Sequence, residues 1–253
     1  MGNLPVERLT PSRPFAHCGV DFCGPVNIYF RIQGKAPRKA YIAIFVCFAT
    51  KAVHIEVVSD LSTDALLAAA PHFDGLWEAA VKSAKGLMTR SLMNARCTFE
   101  ELATIRAEVE AILNSRPLTP LSSDPSDLGA LTPGHFLVGD SMRALPEHNI
   151  EDEQLKSLDR WRLITGIKQY FWRRWLTDYF NELNVRHKWT KPSPSISIGD
   201  MVLIHEDNVP SQKWIMGRIT ATIPGRDQRV RVVRTTKGII RRPVHKIAIL
   251  PVS

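Results

Sequence analysis

Two kinds of apolar patterning alternate along this chain. Tyr41–Ala49 (YIAIFVCFA) is an almost unbroken apolar run of strand length, while Ala52–Val58 (AVHIEVV) alternates with the period of two of a half-buried strand. His17–Pro25 (HCGVDFCGP) reads as a further strand, closed by Gly-Pro, with Asp21 inside it. The polar stretch Arg31–Lys39, between His17–Pro25 and Tyr41–Ala49, reads as a hairpin connection. Three successive strands with short links predict an antiparallel meander.

The period then changes. Ser62 can cap a short helix through TDALLAAA that stops at Pro71, and a second helix is expected from Glu78 to about Asn94. In Phe99–Asn114, Leu102, Ile105, Val109, Ile112 and Leu113 follow the 3.6-residue period, and Pro117 lies just beyond. Residues 115–153 are rich in Pro, Ser, Asp and Gly and read as a connecting segment. Leu155–Trp189 is helical again and dense in aromatic and basic residues, a mixture that either stacks on bases or packs a helix hairpin, packing being the commoner use. From Ile198 onward, GDMVLIHED, KWIMGRITATI, RVRVVRTT, IIRRPV and KIAIL read as short strands, a spacing that suggests a small barrel. The expected division is residues 1–140, a linker at 141–154, and a helical segment with the barrel over 155–253.

Composition changes this picture mainly through charge. The chain has 253 residues, a formal net charge of +8 and 44% hydrophobic residues, enough for a packed core. Between Arg226 and Lys246 stand Arg226, Arg229, Arg231, Arg234, Lys237, Arg241, Arg242 and Lys246, eight cations against Asp227 alone, hence net +7. A localised basic face suggests a polyanion, most simply nucleic acid; the alternative is a solvated surface. Arg229 and Arg231 alternate within RVRVVR and are expected on one strand face. Cys18, Cys23, Cys47 and Cys97 include no C-x-x-C pair, which argues against a zinc knuckle and fits a reducing, intracellular setting, nuclear or cytoplasmic. No apolar run reaches membrane-spanning length, and no membrane partner is expected.

The densest chemical text is His72–Lys85 (HFDGLWEAAVKSAK). Lys82 and Lys85 follow Glu78 at i+4 and i+7 on one helix face. By spacing alone this is either a surface ion pair or a carboxylate and two cations set to hold a metal ion beside a phosphate backbone. Asp21 adds an acidic residue in an apolar strand, costly unless paired or bound to a cation.

Taken together, PSRPFAHCGVDFCGP, YIAIFVCFATKAVHIEVVSDLSTDA, PHFDGLWEAAVKSAK, LNSRPLTPL and LTPGHFLVG resemble the integrase of Bel/Pao-type long-terminal-repeat retrotransposons. The text from WRRWLTDYF to RRPVHKIAIL resembles the small domain that follows that integrase core. The resemblance implies an α+β (α/β) fold: a ribonuclease-H-like core, internally truncated, then a helical connector and an SH3-like barrel. It implies DNA integration by in-line attack on phosphodiesters, with Mg²⁺ or Mn²⁺ held by two Asp and one Glu. Asp21 matches the first carboxylate and Glu78 the third, both as catalytic and metal-binding positions. Lys82 and Lys85 match bases that touch the DNA end, and Arg229, Arg231, Arg234, Arg241 and Arg242 lie in the basic stretch of the small domain. The second carboxylate belongs in a Ser-Asp-Asn-Gly turn, which this sequence lacks, since LSTDALLAA runs directly into APHFDGLWE.

The implied protein is therefore a nucleic-acid binder, DNA foremost, without strand-transfer activity, whose third strand is left as an exposed edge. The resemblance also allows a homo-oligomer. The alternatives are an active nuclease completed by a substitute ligand or a second chain, and a protein-interaction module built on the barrel.

Overall fold

The apolar runs near the amino end form strands β1 (Cys18–Ile28), β2 (Arg38–Cys47) and β3 (Val53–Val58), paired antiparallel in the order β1-β2-β3. The structure is a computed structural model that describes residues 11–31, 35–58, 79–92, 95–144, 160–184, 196–223 and 230–251, with the backbone alone at 79–84 and 230–231. The helix expected after Ser62 lies outside the described residues. One face of the sheet, with Ile42, Ile44, Val46, Val53 and Ile55, is packed into the main apolar core. The other gathers Cys18, Val20, Ala43 and Phe45, with Phe15 and Phe22 against them.

Helices α1 (Ala79–Leu92) and α2 (Phe99–Asn114) cover the first face. The periodic positions of α2 are buried as their spacing requires. Its start is fixed by a capping box: the Thr98 N–H donates to Glu101 Oε2 (2.8 Å) and the Glu101 N–H to the Thr98 hydroxyl (3.4 Å).

The expectation of an exposed third strand is corrected here. In place of a fourth strand, α2 presents side chains to the free edge of β3. The Val53 N–H donates to Asn114 Oδ1 (2.8 Å), and Asn114 Nδ2 donates back to the Val53 carbonyl (2.7 Å). Two residues on, the Ile55 N–H donates to Glu110 Oε2 (2.9 Å), while Arg106 Nη1 donates to the Ile55 carbonyl (2.6 Å). Residues 106, 110 and 114 are four apart and so share one helix face. They pair the outward backbone groups of Val53 and Ile55, as buried polar groups require.

A short helix α3 (Pro133–Val138) precedes the long α4 (Arg160–Leu183). Arg160 holds Glu101 through its Nε (2.6 Å) and a second, closer contact, tying the start of α4 to the start of α2. Most of the aromatic content of α4 is packing, Trp161 and Tyr170 being exposed. Phe171, Trp175 and Tyr179, one turn apart, stack with centroids 6.4 and 5.7 Å apart, and the Tyr179 hydroxyl donates to the Pro117 carbonyl (2.6 Å). The apolar core runs from the first sheet through α4 to Leu203 and Ala248 of the second.

That second sheet consists of β6 (Met201–Ile204), β7 (Met216–Ile223), β8 (Val230–Thr235), β9 (Gly238–Pro243) and β10 (Ile247–Ile249), all antiparallel, in the order β10-β6-β7-β8-β9. A 3₁₀ turn (Val244–Lys246) returns the chain from β9 to β10, beside β6. Gly217 permits the close approach of β7 and β8: a Cβ there would lie 2.5 Å from the Arg234 carbonyl oxygen. Trp214, just before β7, meets Trp172 edge-on at 4.9 Å and donates its indole N–H to Ser115 Oγ (3.0 Å).

The connecting segment is packed in between. Strands β4 (Thr119–Pro120) and β5 (Ala130–Leu131) pair with each other. Arg218 of β7, nearly buried, donates to the carbonyls of Ser122 (2.6 Å), Asp127 (3.2 Å) and Gly199 (3.1 Å). The architecture is mixed α+β with antiparallel sheets. Among the described residues no helix is long and apolar enough to cross a membrane.

Candidate nucleic-acid interface

The basic stretch lies on β8, β9 and the turns at their ends, and the fold sorts its cations into two groups. Arg242 is half-buried and donates to Glu206 Oε1 (2.6 Å), and Lys246 lies 3.7 Å from Asp207 Oδ2. The acidic pair Glu206–Asp207, which follows β6, thus offsets two of the eight cations. His205 beside them is held below its ordinary value by burial and by the Lys246 ammonium, so it adds no positive charge at neutral pH.

The second group faces solvent. Arg234 and Arg241 are exposed, as is Lys237 at the β8–β9 turn. Register explains why. Val233 and Ile240 are cross-strand partners that pack into the sheet's core cluster, so the flanking positions Arg234, Ile239 and Arg241 fall on the other face. Gly238, at φ +119°, closes the turn, and the Thr235 hydroxyl donates to its carbonyl (2.8 Å). Arg234, Lys237 and Arg241 therefore project from one hairpin, with Ile239 exposed among them. Arg231 stands in β8 opposite Arg242; its side chain and all of Arg229 lie outside the described residues. Lys237 belongs to the basic stretch but carries no distinguishing strand pattern. Its place two residues after Thr235, just before a glycine, was the available turn signal.

The other expected constellation is only partly joined. Asp21, central in β1, and Lys85, on α1, meet: Lys85 Nζ lies 2.7 Å from Asp21 Oδ2, both side chains one-third exposed. The second carboxylate oxygen accepts the Phe22 N–H (2.8 Å). Glu78 lies outside the described residues, as does the Lys82 side chain. Beside the pair, burial pushes the Cys23 thiol up to about 11, so it remains protonated at neutral pH and offers no thiolate.

A two-ion centre needs several carboxylate oxygens converging on hard cations. The described residues supply Asp21 alone, with both oxygens engaged, and contain no group of three His, Cys, Asp or Glu able to hold a metal. The described part of the site does not fit Mg²⁺ or Mn²⁺ in a two-ion arrangement. What it can do is present the half-neutralised Lys85 and the open Arg234–Lys237–Arg241 row to an anion.

Residues 159–250 match the model of a family described as a family of unknown function (DUF5641). The matched span begins just before α4 and ends just after β10, so it takes the long helix together with the second sheet. No curated protein matches the chain.

Proposed function

We propose that this protein is an integrase-derived, nucleic-acid-binding protein of Bel/Pao retrotransposon type that holds DNA by its phosphate backbone and does not join strands. The observation that carries the binding half is the exposed row of Arg234, Lys237 and Arg241 on one hairpin, in a stretch with a single acidic residue. Guanidinium and ammonium groups without base-reading partners favour sequence-independent phosphate contact, at an affinity that falls steeply with salt.

The fold reading has support of the same kind. A meander with an acidic residue in its first strand, followed by a helix whose lysine reaches that residue, agrees with a ribonuclease-H-like core lacking its later strands. A five-stranded sheet whose last strand returns beside the first through a 3₁₀ turn agrees with an SH3-like barrel. The inactive half rests on the engaged state of Asp21 and on the missing Ser-Asp-Asn-Gly text: with one of three bridging carboxylates gone, the charge at attacking and leaving oxygens is not neutralised.

The test is a labelled duplex DNA end incubated with the full chain and Mn²⁺. The DNA is retained on the protein and leaves uncut. Cleavage that Glu78→Gln abolishes would establish the active alternative instead. Failure of the protein to retain DNA or RNA even at low salt would favour the interaction-module alternative, for which exposed Ile239 is the natural anchor.

A further inference from the structure

We propose that Cys18 and Cys47 form a peroxide-sensitive dithiol that closes to a cross-strand disulfide between β1 and β2. The two residues are direct partners in the β1–β2 register. The Phe48 N–H donates to the His17 carbonyl (3.0 Å), which makes His17 and Phe48 a hydrogen-bonded pair. In antiparallel pairing the two kinds of pair alternate, so Cys18 and Cys47 occupy the adjacent non-hydrogen-bonded position. There, Cα atoms approach to about 4.5 Å and side chains are closest. That spacing lies within the roughly 4.4–6.8 Å that a disulfide spans. Both thiols are free and buried, 4% and 0% exposed, and Cys18 belongs to the apolar cluster on the sheet face opposite the helices.

The surroundings divide the labour between the two sulfurs. Cys47 Sγ accepts backbone N–H groups from Phe15 (3.3 Å) and Thr50 (3.4 Å), which fix the position of its sulfur. Cys18 has its thiol pushed up by burial and by the neighbouring Cys47, so it enters as the second, resolving thiol. Burial favours a small oxidant, and hydrogen peroxide is the co-reactant. Cys47, as thiolate, attacks one peroxide oxygen. The O–O bond breaks, and the leaving hydroxide takes up the proton that Cys47 gave up, leaving as water and a sulfenic acid on Cys47. The Cys18 sulfur then attacks Cys47 Sγ, the S–O bond breaks, and the second oxygen leaves as water with the Cys18 proton. Two thiols and one peroxide give one disulfide and two waters, with two electrons passing from the sulfurs to peroxide.

The other cysteines are excluded by place. Cys23 pairs with Ile42 in the helix-facing core, and Cys97 stands before α2; burial pushes each thiol up to about 11. The disulfide would staple the sheet three residues from Asp21, at the end where Phe15 packs.

The experiment treats the reduced, full-length chain with hydrogen peroxide, alkylates remaining thiols under denaturing conditions and maps the digest by mass spectrometry. The expected product is a Cys18–Cys47 cross-linked peptide two hydrogens lighter than its parts, with Cys23 and Cys97 alkylated. The oxidised protein melts higher than the reduced one, and dithiothreitol reverses the shift. In Cys18→Ser the same dose leaves Cys47 as a sulfenic acid that dimedone captures. If Cys47 stays a thiol at peroxide levels that oxidise added glutathione, or if the cross-link joins Cys23 or Cys97, the proposal fails.

Discussion

Replacing Asn114 with Ala removes one side chain and strands two backbone groups. The Asn114 amide accepts from the Val53 N–H at 2.8 Å and donates to the Val53 carbonyl at 2.7 Å, acting as a one-residue substitute for a neighbouring strand. Asn114 is fully buried and Val53 is 1% exposed, so water does not replace either bond. Each unsatisfied buried backbone group costs about 1–3 kcal/mol, which puts Asn114→Ala at about 2–6 kcal/mol. Set against a total of about 5–15 kcal/mol for a folded domain, that is a large fraction. At about 2–4 °C per kcal/mol for a chain of this size, the melting temperature falls by about 4–24 °C. Urea denaturation followed by tryptophan fluorescence measures the loss directly. Thr104→Ala on the same helix is the control, because its hydroxyl bonds only the Glu100 carbonyl at an exposed position; it costs less than about 0.5 kcal/mol. An Asn114→Ala protein within about 0.5 kcal/mol of the parent would refute the view that α2 closes the β3 edge.

His54 lies between Glu110 (3.3 Å) and Glu56 (3.0 Å), and hydrogen bonding to Glu110, more than burial opposes it, raises its pKa above the ordinary 6.5. A raised folded value means the protonated ring stabilises the fold: the contribution is complete below 6.5 and is lost as pH rises through the folded value. The urea midpoint should therefore fall over that window in the parent and flatten in His54→Gln; a midpoint that rises with pH only in the parent would contradict the assignment. Arg218→Met removes three hydrogen bonds to the carbonyls of Ser122, Asp127 and Gly199. It should cost about 3 kcal/mol and accelerate amide exchange across 119–131, and unchanged exchange there would show that the clamp is idle.

Much of the fold was legible because its periodicities are clean. The run YIAIFVCFA needs burial on both faces, and AVHIEVV carries the alternation of an edge strand. The period of α2 and the turn residues between β6 and β10 were equally plain. What pattern reading could not supply was the partner of each polar residue. Arg106, Glu110 and Asn114 look like an ordinary solvated helix face at spacing four. They close a sheet edge only because α2 docks beside β3, a placement set by packing more than 50 residues apart in sequence. At Val53 and Ile55 the expected exposed edge is covered for that reason.

The basic stretch shows the same limit. In RVRVVR the doubled valine breaks the strict alternation, so sequence alone did not separate inward from outward positions. Register does: Val233 and Ile240 mark the core face, Arg242 is committed to Glu206, and Arg234 and Arg241 are left to solvent. By resemblance, Asp21 and Lys85 are expected to contact other molecules, a metal ion and a DNA end. They lie 2.7 Å apart and contact each other, 64 residues apart in sequence, so the carboxylate already has a cation.

The most direct test of the central claim is the salt dependence of duplex DNA binding, measured by fluorescence anisotropy, for the parent and for Arg234→Gln/Arg241→Gln. Each phosphate contact contributes about −0.9 to the slope of log K against log salt, so the double variant should lose about 1.8 from the slope and bind more weakly on every sequence tried. An unchanged slope in a variant that melts like the parent would contradict the assignment of the β8–β9 hairpin as the DNA-binding face.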